Sequence, residues 1–374
     1  MLSFLKHVIQ NTPEQAISYS AYMDLALYHP TYGYYMKEKE KIGRSGDFFT
    51  SSNVSSVFAK QFARFFIQLI EGGAVPPAIC EIGAGTGRFA HDVLAEWREQ
   101  SPETFSQLAY SIVETSSYHQ KLQQDLLSDY KNVTQYTSID EIGPSFEGII
   151  FSNELFDAFP VEVIEKRNGR IYEVYITFDE RERLSEEFRM LKNEQIVRYL
   201  QQHRIRLREG QRFEVPLLMG EYIKKLGNWL HKGLCITVDY GYTNEEWGHP
   251  LRHEGSLRGY CEHQLVRDPL AYPGDMDLTA HVHWDELKRV GKENSLYTIW
   301  HTKQTKFLLA AGILEQLVDH TDRNPFSEQN KKNRAIRSMI INGGISDSFD
   351  VVIQQKGMPS FRVEKYLQQS SSLT

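Results

Sequence analysis

Cysteine is scarce in this sequence, and its scarcity excludes two classes of stabilised protein. The chain has only three cysteines among 374 residues, and Cys80, Cys235 and Cys261 lie far apart. Disulfide frameworks and structural zinc sites need several closely spaced ligands. We therefore expect neither feature, and we expect a reducing compartment.

Long apolar runs and an excess of basic charge are also missing. No run approaches the length of a membrane span, and residues 1–10 lack the apolar core of a signal peptide. The formal net charge is −7, whereas nucleic-acid binding needs clustered lysine and arginine. These features predict a cytoplasmic protein that binds no nucleic acid and does not insert into a membrane.

A glycine-rich stretch, Ala78 to Arg88, is the most informative part of the chain. It predicts a strand, a glycine loop and the start of a helix. Glycine permits positive φ and close approach of a ligand to the backbone, and such loops bind nucleotide-like ligands at the carboxyl edge of a parallel sheet. The predicted cofactor-binding residues here are Glu81, Gly83, Ala84, Gly85, Thr86 and Gly87.

The spacing of the glycines distinguishes between nucleotide cofactors. A dinucleotide fingerprint would put its third glycine at position 88, whereas Gly87 comes one residue earlier and Glu81 precedes the loop. A carboxylate there would repel a pyrophosphate but attract the amino group of a methionine moiety. The pattern therefore favours S-adenosylmethionine (SAM) over NAD or FAD. A glycine-rich turn without a ligand is the alternative.

The second predicted strand, Leu108 to Glu114, also ends in an acid. An acid at this position of a nucleotide-binding sheet holds a ribose diol by two hydrogen bonds. We therefore predict that Glu114 holds the cofactor ribose, with a plain solvated carboxylate as the alternative.

Strands and helices alternate after Glu114, which is typical of a parallel sheet. The fourth strand, 147–151, leads into polar residues that would face the reactive end of the cofactor. A late strand, 349–356, would return antiparallel. We predict an α/β, Rossmann-like class I SAM methyltransferase with a mostly parallel seven-stranded sheet, an inserted cap or substrate subdomain and an N-terminal helical extension.

Four segments are predicted along the chain: a helical extension and lid loop (1–75), the first half of the SAM-binding core (76–160), an inserted hairpin and helical cap (161–215), and the second half of the core with substrate loops (216–374). In the insertion, residues 163–178 alternate around Asn168-Gly169, which indicates a hairpin. Charged residues 181–208 predict a helix. Further helices are predicted at 13–28, 217–230, 305–317 and 329–341.

Several separated motifs resemble the MidA family of SAM-dependent methyltransferases over nearly the whole chain. They are Tyr22-Met23, His29-Pro30, Gly33-Tyr34-Tyr35, Gly46-Asp47-Phe48, residues 81–87, Asn153-Glu154, Asp157-Ala158, Pro160, Asp239-Tyr240-Gly241, Gly259-Tyr260, His263 and residues 277–282. Two departures are visible: Ser256 stands in a run that is usually of the Gly-Thr-Leu type, and His283 stands where an acid is common.

The resemblance implies methylation of a protein arginine, because mitochondrial members act as assembly factors of respiratory complex I and methylate an arginine of one subunit. Asp47 and Asn153 complete the predicted set of cofactor-binding residues. The protein substrate is the predicted partner.

The predicted catalytic residues are Glu154, Asp157, Asn153, Asp239 and His263. Glu154 and Asp157 could hold the fork of a guanidinium and localise its charge on the nitrogens that do not attack. Asn153 would offer a carbonyl acceptor, and Asp239 and His263 are candidates for proton removal or orientation. For Glu154 the alternative is a first-turn acid that stabilises a helix dipole.

Two other functions stay open at this stage: a small-molecule N- or O-methyltransferase, and a non-catalytic assembly factor that retains the fold. His263, His281 and His283 suggest a metal, but no acid or thiol completes a ligand set, which favours polar pocket lining. No metal is predicted. The sequence leaves open the methyl acceptor, the number of methyl groups, the role of these histidines and the oligomeric state, for which a homodimer is one option.

Overall fold

The computed structural model describes residues 1–39, 41, 56–262, 264–319, 324, 326–341 and 345–367. Its α-helices are α1 (Leu2–Gln10), α2 (Tyr19–Tyr28), α3 (Ser56–Glu71), α4 (Arg88–Gln100), α5 (Pro102–Gln107), α6 (Ser117–Leu126), α7 (Glu194–His203), α8 (Leu217–Trp229), α9 (Asn244–Trp247), α10 (Trp284–Glu293), α11 (Gln304–Ala310) and α12 (Glu328–Ile340). Its strands are β1 (Ile17–Ser18), β2 (Ala78–Ile82), β3 (Ala109–Val113), β4 (Val133–Tyr136), β5 (Phe146–Asn153), β6 (Glu162–Arg167), β7 (Arg170–Phe178), β8 (Leu184–Met190), β9 (Arg212–Val215), β10 (Leu230–Tyr242), β11 (Arg258–Cys261), β12 (Gln264–Val266), β13 (Asp277–Thr279), β14 (Val282–His283), β15 (Tyr297–Lys303) and β16 (Phe349–Lys356).

These elements form two compact units. The core unit contains the described residues within 49–155, 225–240 and 291–374, and the accessory unit contains those within 1–48, 156–224 and 241–290. The four segments predicted from the sequence stay a prediction.

The core unit is built on a seven-stranded sheet. Its strand order is β15-β16-β10-β5-β2-β3-β4, and β14 pairs as an eighth strand with Gly241 and Tyr242 at the end of β10. Among the seven strands in this order, β16 runs opposite to the other six. This arrangement confirms the predicted Rossmann-like fold. The predicted antiparallel strand at 349–356 is β16, whereas β15 was not predicted.

Aromatic packing fixes the helices on the central strands of the core unit. Phe89 of α4 stacks on Phe151 of β5 with ring centroids 4.4 Å apart, and Phe62 of α3 lies 5.1 Å from the same ring. Phe62 also stacks on Phe307 of α11 at 5.0 Å. Because large buried rings dominate the energetics of a core, this cluster holds β5, and with it the residues that follow β5, in a defined position.

The accessory unit contains two antiparallel sheets. One has the order β1-β7-β6-β9 with β8 paired to β7, and the other has the order β12-β11-β13. The predicted hairpin is confirmed as β6 and β7, and Asn168 and Gly169 have the positive φ angles, 49° and 75°, that a tight two-residue turn requires.

The predicted helix over 181–208 is wrong in its first half. Residues Leu184–Met190 form β8 on the hairpin, and the helix is confined to α7. The charged side chains of β8 lie along a half-buried sheet, where their aliphatic stems cover apolar surface. Arg189, for example, places its guanidinium 4.7 Å from the ring centre of Tyr175.

Two other helix boundaries also differ from prediction. The helix expected over 13–28 begins only at Tyr19, because the Ser18 hydroxyl caps it by accepting the Ala21 N–H. The helix expected over 305–317 ends at Ala310, and Gly312 follows with a φ of 86°. No helix among the described residues is long and apolar enough to cross a membrane.

Candidate active site

The carboxyl ends of four neighbouring parallel strands bring the predicted residues of the core unit together. In the order β10-β5-β2-β3, these ends carry Asp239, Asn153 with Glu154, the loop from Gly83 to Gly87, and Glu114. Open α/β sheets bind their ligands at this edge. The core unit therefore has one candidate site, which is assembled from residues that are far apart in the chain.

The glycine positions of the loop are constrained by their backbone angles and, at Gly83 and Gly87, by close neighbours. Gly83, Gly85 and Gly87 have φ angles of 74°, 54° and 80°, which glycine adopts without strain. A Cβ added to Gly83 would lie 2.9 Å from Leu155 Cδ1, and one added to Gly87 would lie 2.8 Å from Gln123 Cγ. The bare backbone at this turn is therefore a requirement of the structure, as the spacing predicted.

Glu114 holds the glycine loop in place. Its two carboxylate oxygens accept the Gly85 N–H at 2.9 Å and the Ser116 N–H at 2.8 Å. Gln123 fixes the same loop by donating its amide to the Gly85 carbonyl at 2.7 Å. Each carboxylate oxygen can accept more than one hydrogen bond, so the predicted bond to a ribose diol is compatible with this role and stays a prediction.

Glu81 is a buried carboxylate directly before the loop. Its Oε2 accepts the hydroxyl hydrogen of Tyr110 at 2.6 Å, and its residue is only 4% exposed. Burial raises the pKa of Glu81 to about 7, the Tyr110 hydrogen bond opposes this shift, and the charge of Glu114 adds to it. A cationic ligand group beside this carboxylate would favour its ionised form.

Glu154 has an unusual backbone conformation at the end of β5. Its φ is 49°, in the left-handed region that costs most residues roughly 1–2 kcal/mol. Its N–H donates to the Val238 carbonyl at 2.9 Å, and its Oε1 accepts the Asn153 amide at 3.1 Å. Residues 153–160 include no α-helix, so the alternative role as a first-turn helix acid is excluded.

Asn153 leaves one buried atom unsatisfied. Its Oδ1 has no hydrogen-bond donor within the described part of the chain. A buried carbonyl oxygen without a donor costs roughly 1–3 kcal/mol, so such atoms are rare away from functional sites. This atom and the bare glycine backbone together fit a nucleoside ligand with hydrogen-bond donors.

The remaining predicted residues have separate outcomes. Asp239 is buried on β10, next to Val238, where the pairing of β10 with β5 ends, and its Oδ1 accepts the Tyr240 N–H at 2.9 Å. Its role in proton removal stays a prediction. Asp47 and His263 lie outside the described residues.

Asp157 belongs to the accessory unit, where it lies among residues that the sequence reasoning did not select. It is buried, and its backbone carbonyl accepts the Ala280 N–H at 2.8 Å. Tyr35 donates its hydroxyl to Asp277 Oδ1 at 2.8 Å. Burial is the main cause that raises the pKa of both Tyr35 and Tyr260, and the charges of Asp277 and Asp157 add to the shift in each case.

Only the family motifs pointed to Asp277, Tyr35 and Tyr260 in the sequence, because no local pattern of residues distinguishes them. Asp277, Tyr35 and Tyr260 each lie in a stretch that the family resemblance had marked. The predicted pairing of the Glu154 and Asp157 carboxylates on one guanidinium stays a prediction.

His281 and His283, two of the three histidines considered as metal ligands, make aromatic and hydrogen-bond contacts within the accessory unit. His281 stacks on the ring of Tyr242 at 4.3 Å. His283 is buried, with its Nδ1 hydrogen-bonded to the Tyr199 hydroxyl and its Nε2 to Asn244 Oδ1 at 2.8 Å. Within the described ranges, no group of three or more His, Cys, Asp or Glu side chains could hold a metal ion.

His283 is expected to make the protein sensitive to mild acid. Burial, reinforced by His203, lowers the pKa of His283 to about 3, although the charges of Asp285 and Glu286 oppose the shift. Below about pH 6.5, His283 binds a proton in the unfolded chain but stays neutral in the folded chain. The free energy of unfolding therefore falls as the pH falls. We expect a loss of about 1 kcal/mol from this residue between about pH 7 and about pH 5.5.

Urea unfolding at the two pH values would measure this contribution. The variant His283→Gln cannot titrate, so the difference between its two midpoints should be smaller than that of the unchanged protein. Equal differences in the two proteins would contradict the assignment.

The strand order of the core sheet and the glycine loop at the carboxyl ends of its strands define the class of the protein. A parallel nucleotide-binding sheet with one late antiparallel strand, and a glycine loop preceded by an acid, is the architecture of class I SAM-dependent methyltransferases. The chain belongs to the family described as "Putative S-adenosyl-L-methionine-dependent methyltransferase", whose profile matches residues 57–302.

Individual relatives agree with this membership. The chain is 26% identical over 350 residues to the mitochondrial protein arginine methyltransferase NDUFAF7 of Danio rerio, covering 83% of this chain and 77% of the relative. It is 25% identical over 361 residues to the Homo sapiens protein of that name, covering 88% and 78%. A Burkholderia thailandensis protein, crystallised with S-adenosyl-homocysteine, is similar with a TM-score of 0.87 and 26% identity, covering 97% of this chain and 93% of that chain.

S-adenosylmethionine is therefore the cofactor of this enzyme. The unpaired Asn153 Oδ1 and the bare backbone of Gly83 to Gly87 fit this molecule, and Glu81, Glu114 and the loop are the residues that would hold it. The predictions of family, fold, cofactor and SAM-dependent methyl transfer are confirmed.

Proposed function

We propose that this enzyme methylates an arginine side chain of a protein substrate. Glu154 carries the proposal: a carboxylate on a strained turn, beside the glycine loop, with one oxygen held by the Asn153 amide. Strained residues persist only where the surrounding structure holds them, and they cluster at active sites. The names of the Danio rerio and Homo sapiens relatives support arginine as the acceptor.

The chemistry of a guanidinium explains why a carboxylate is needed. The bound cofactor supplies an electrophilic methyl group on a sulfonium. A guanidinium nitrogen is a weak nucleophile while its lone pair is delocalised. A carboxylate that accepts two of its N–H groups draws the positive charge toward those nitrogens and leaves the third more nucleophilic.

The local geometry offers enough acceptors for this task. The Glu154 carboxylate can accept a bidentate pair in addition to the Asn153 amide, because an ionised carboxylate has about four lone-pair sites. Asn153 Oδ1 can accept a further N–H. Asp239, buried at the end of the neighbouring strand, is the proposed acceptor for the proton that the methylated nitrogen must lose.

A cytoplasmic location is part of the same proposal. It rests on the three scattered cysteines of the chain, which favour a reducing compartment.

Transfer to protein would test the proposed function. We expect the purified enzyme, mixed with methyl-labelled SAM and a lysate of cells that lack it, to label a protein band. Mass spectrometry should then find methylarginine in peptides from cells that contain the enzyme and not in those from cells without it. Label in the small-molecule fraction would instead support a small-molecule methyltransferase. Cofactor binding without any transfer would support a non-catalytic assembly factor.

A further inference from the structure

Tyr110 and Glu81 form a buried pair beneath the glycine loop. Tyr110 lies on β3 and is only 1% exposed, and Ile79 on β2 is its partner in the strand ladder. Its side chain is surrounded by the apolar core of the unit, but its hydroxyl donates to Glu81 Oε2 at 2.6 Å. Because a hydrogen bond to a carboxylate is stronger when that group is ionised, Tyr110 favours the charged form of Glu81.

The surroundings of Glu81 otherwise oppose its charge. Burial is the largest influence and raises its pKa to about 7, and the nearby Glu114 acts in the same direction. Among the described residues, no cation offsets these two effects. Near neutral pH both the protonated and the ionised form of Glu81 are therefore accessible in the free protein, and the Tyr110 hydrogen bond shifts the equilibrium toward the ionised form.

We propose that Tyr110 is a positioning residue whose hydroxyl fixes the Glu81 carboxylate, and that Glu81 loses a proton to solvent when the cationic methionine portion of the cofactor binds. The step breaks the O–H bond of the Glu81 carboxyl group and leaves its electron pair on the carboxylate. The proton passes to the buffer, and the positive charge of the ligand replaces it beside the carboxylate.

Proton-linked binding has a measurable consequence. Cofactor affinity should rise by about tenfold between about pH 5.5 and about pH 7, because the fraction of ionised Glu81 rises over this range. Calorimetry with SAM in two buffers of different ionisation enthalpy counts the protons released. We expect nearly one proton per site at the lower pH and few above about pH 8.

The variant Tyr110→Phe tests the role of the hydroxyl. Without this donor the ionised form of Glu81 is less favourable, so the pH midpoint of cofactor affinity should move upward by about one unit. Affinity should be about five- to tenfold weaker near pH 6–7 and close to that of the unchanged protein near pH 8.5. An equal weakening at every pH would show that Tyr110 acts only through packing and would overturn its role.

Two variants serve as controls. In Tyr22→Phe, a wholly buried tyrosine of the accessory unit loses its hydroxyl, which donates to the Pro269 carbonyl at 2.9 Å, and the pH midpoint should stay unchanged. Glu81→Gln cannot titrate, so it measures the protons that the cofactor itself releases. Proton release that is equal in Glu81→Gln and in the unchanged protein would overturn the proposal.

Infrared spectroscopy provides a readout that is independent of affinity. The free protein near pH 6 should show the carbonyl stretch of a protonated carboxyl group, which disappears on cofactor binding and is missing from Glu81→Gln. If Tyr110→Phe does not fold, the infrared spectra and proton counts of the unchanged protein and of Glu81→Gln still decide whether Glu81 ionises when the cofactor binds. None of these measurements uses a methyl acceptor, so their outcome does not depend on whether the proposed arginine methylation is correct.

Discussion

Glu154→Gln is expected to slow methyl transfer by about a thousandfold while cofactor affinity stays near that of the unchanged enzyme. Glutamine has the same shape and can still accept the Asn153 amide, but it lacks the charge that a guanidinium requires. Loss of one preorganised electrostatic contact costs about a hundred- to a thousandfold in rate. The loop contacts of Glu81, Gly85 and Glu114 do not involve Glu154.

Two measurements separate transfer from binding. Label incorporated from methyl-labelled SAM into lysate proteins gives the rate, and calorimetry with SAM gives the affinity. The matched control is Glu147→Gln, which makes the same change at an exposed position of the same strand and should alter neither quantity. Equal losses of transfer rate and SAM affinity would show that Glu154 acts in cofactor binding. An unchanged transfer rate would show that Glu154 does not bind the methyl acceptor.

The cofactor loop could be predicted from sequence because its requirements are local. Glu81, Gly83, Gly85 and Gly87 lie within seven residues, and each glycine is needed for a backbone angle of its own turn. Spacing along the chain therefore carries nearly all of the information. The strand before the loop and the helix after it are marked by short-range periodicity as well.

The long-range contacts of buried polar side chains could not be predicted, because they join residues that are far apart in the chain. Tyr110 is 29 residues from Glu81, and its hydroxyl reaches the carboxylate only through the ladder of β2 and β3. Tyr35 and Asp277 are 242 residues apart. Nothing in the local sequence of either residue indicates its partner, so this hydrogen bond is visible only in the fold.

The elements that prediction missed have weak patterns. Every residue of β15, Tyr297 excepted, is half-buried, so the strand shows no alternation of apolar and polar faces. β8 carries three charged residues among seven and lies in a charged stretch, a pattern that is typical of a solvated helix. In both strands the pairing partner decides the structure, since β propensity depends strongly on neighbouring strands.

Gly85→Val is expected to reduce cofactor affinity by at least about a hundredfold, to the point where SAM no longer raises the melting temperature. A β-branched residue at a φ of 54° is strongly disfavoured, so the backbone must move. Movement breaks the hydrogen bonds that the Gly85 N–H donates to Glu114 and that its carbonyl accepts from Gln123.

Backbone strain alone could weaken binding through general destabilisation, and Gly73→Val separates the two effects. Gly73 belongs to the same unit and has a φ of 66°, but a Cβ there would meet no atom within 4 Å. Both variants should lose roughly 1–2 kcal/mol of stability from the left-handed conformation. With saturating SAM, thermal unfolding should show stabilisation of Gly73→Val and none of Gly85→Val. A Gly85→Val protein that still binds SAM tightly would show that the loop does not form the cofactor site.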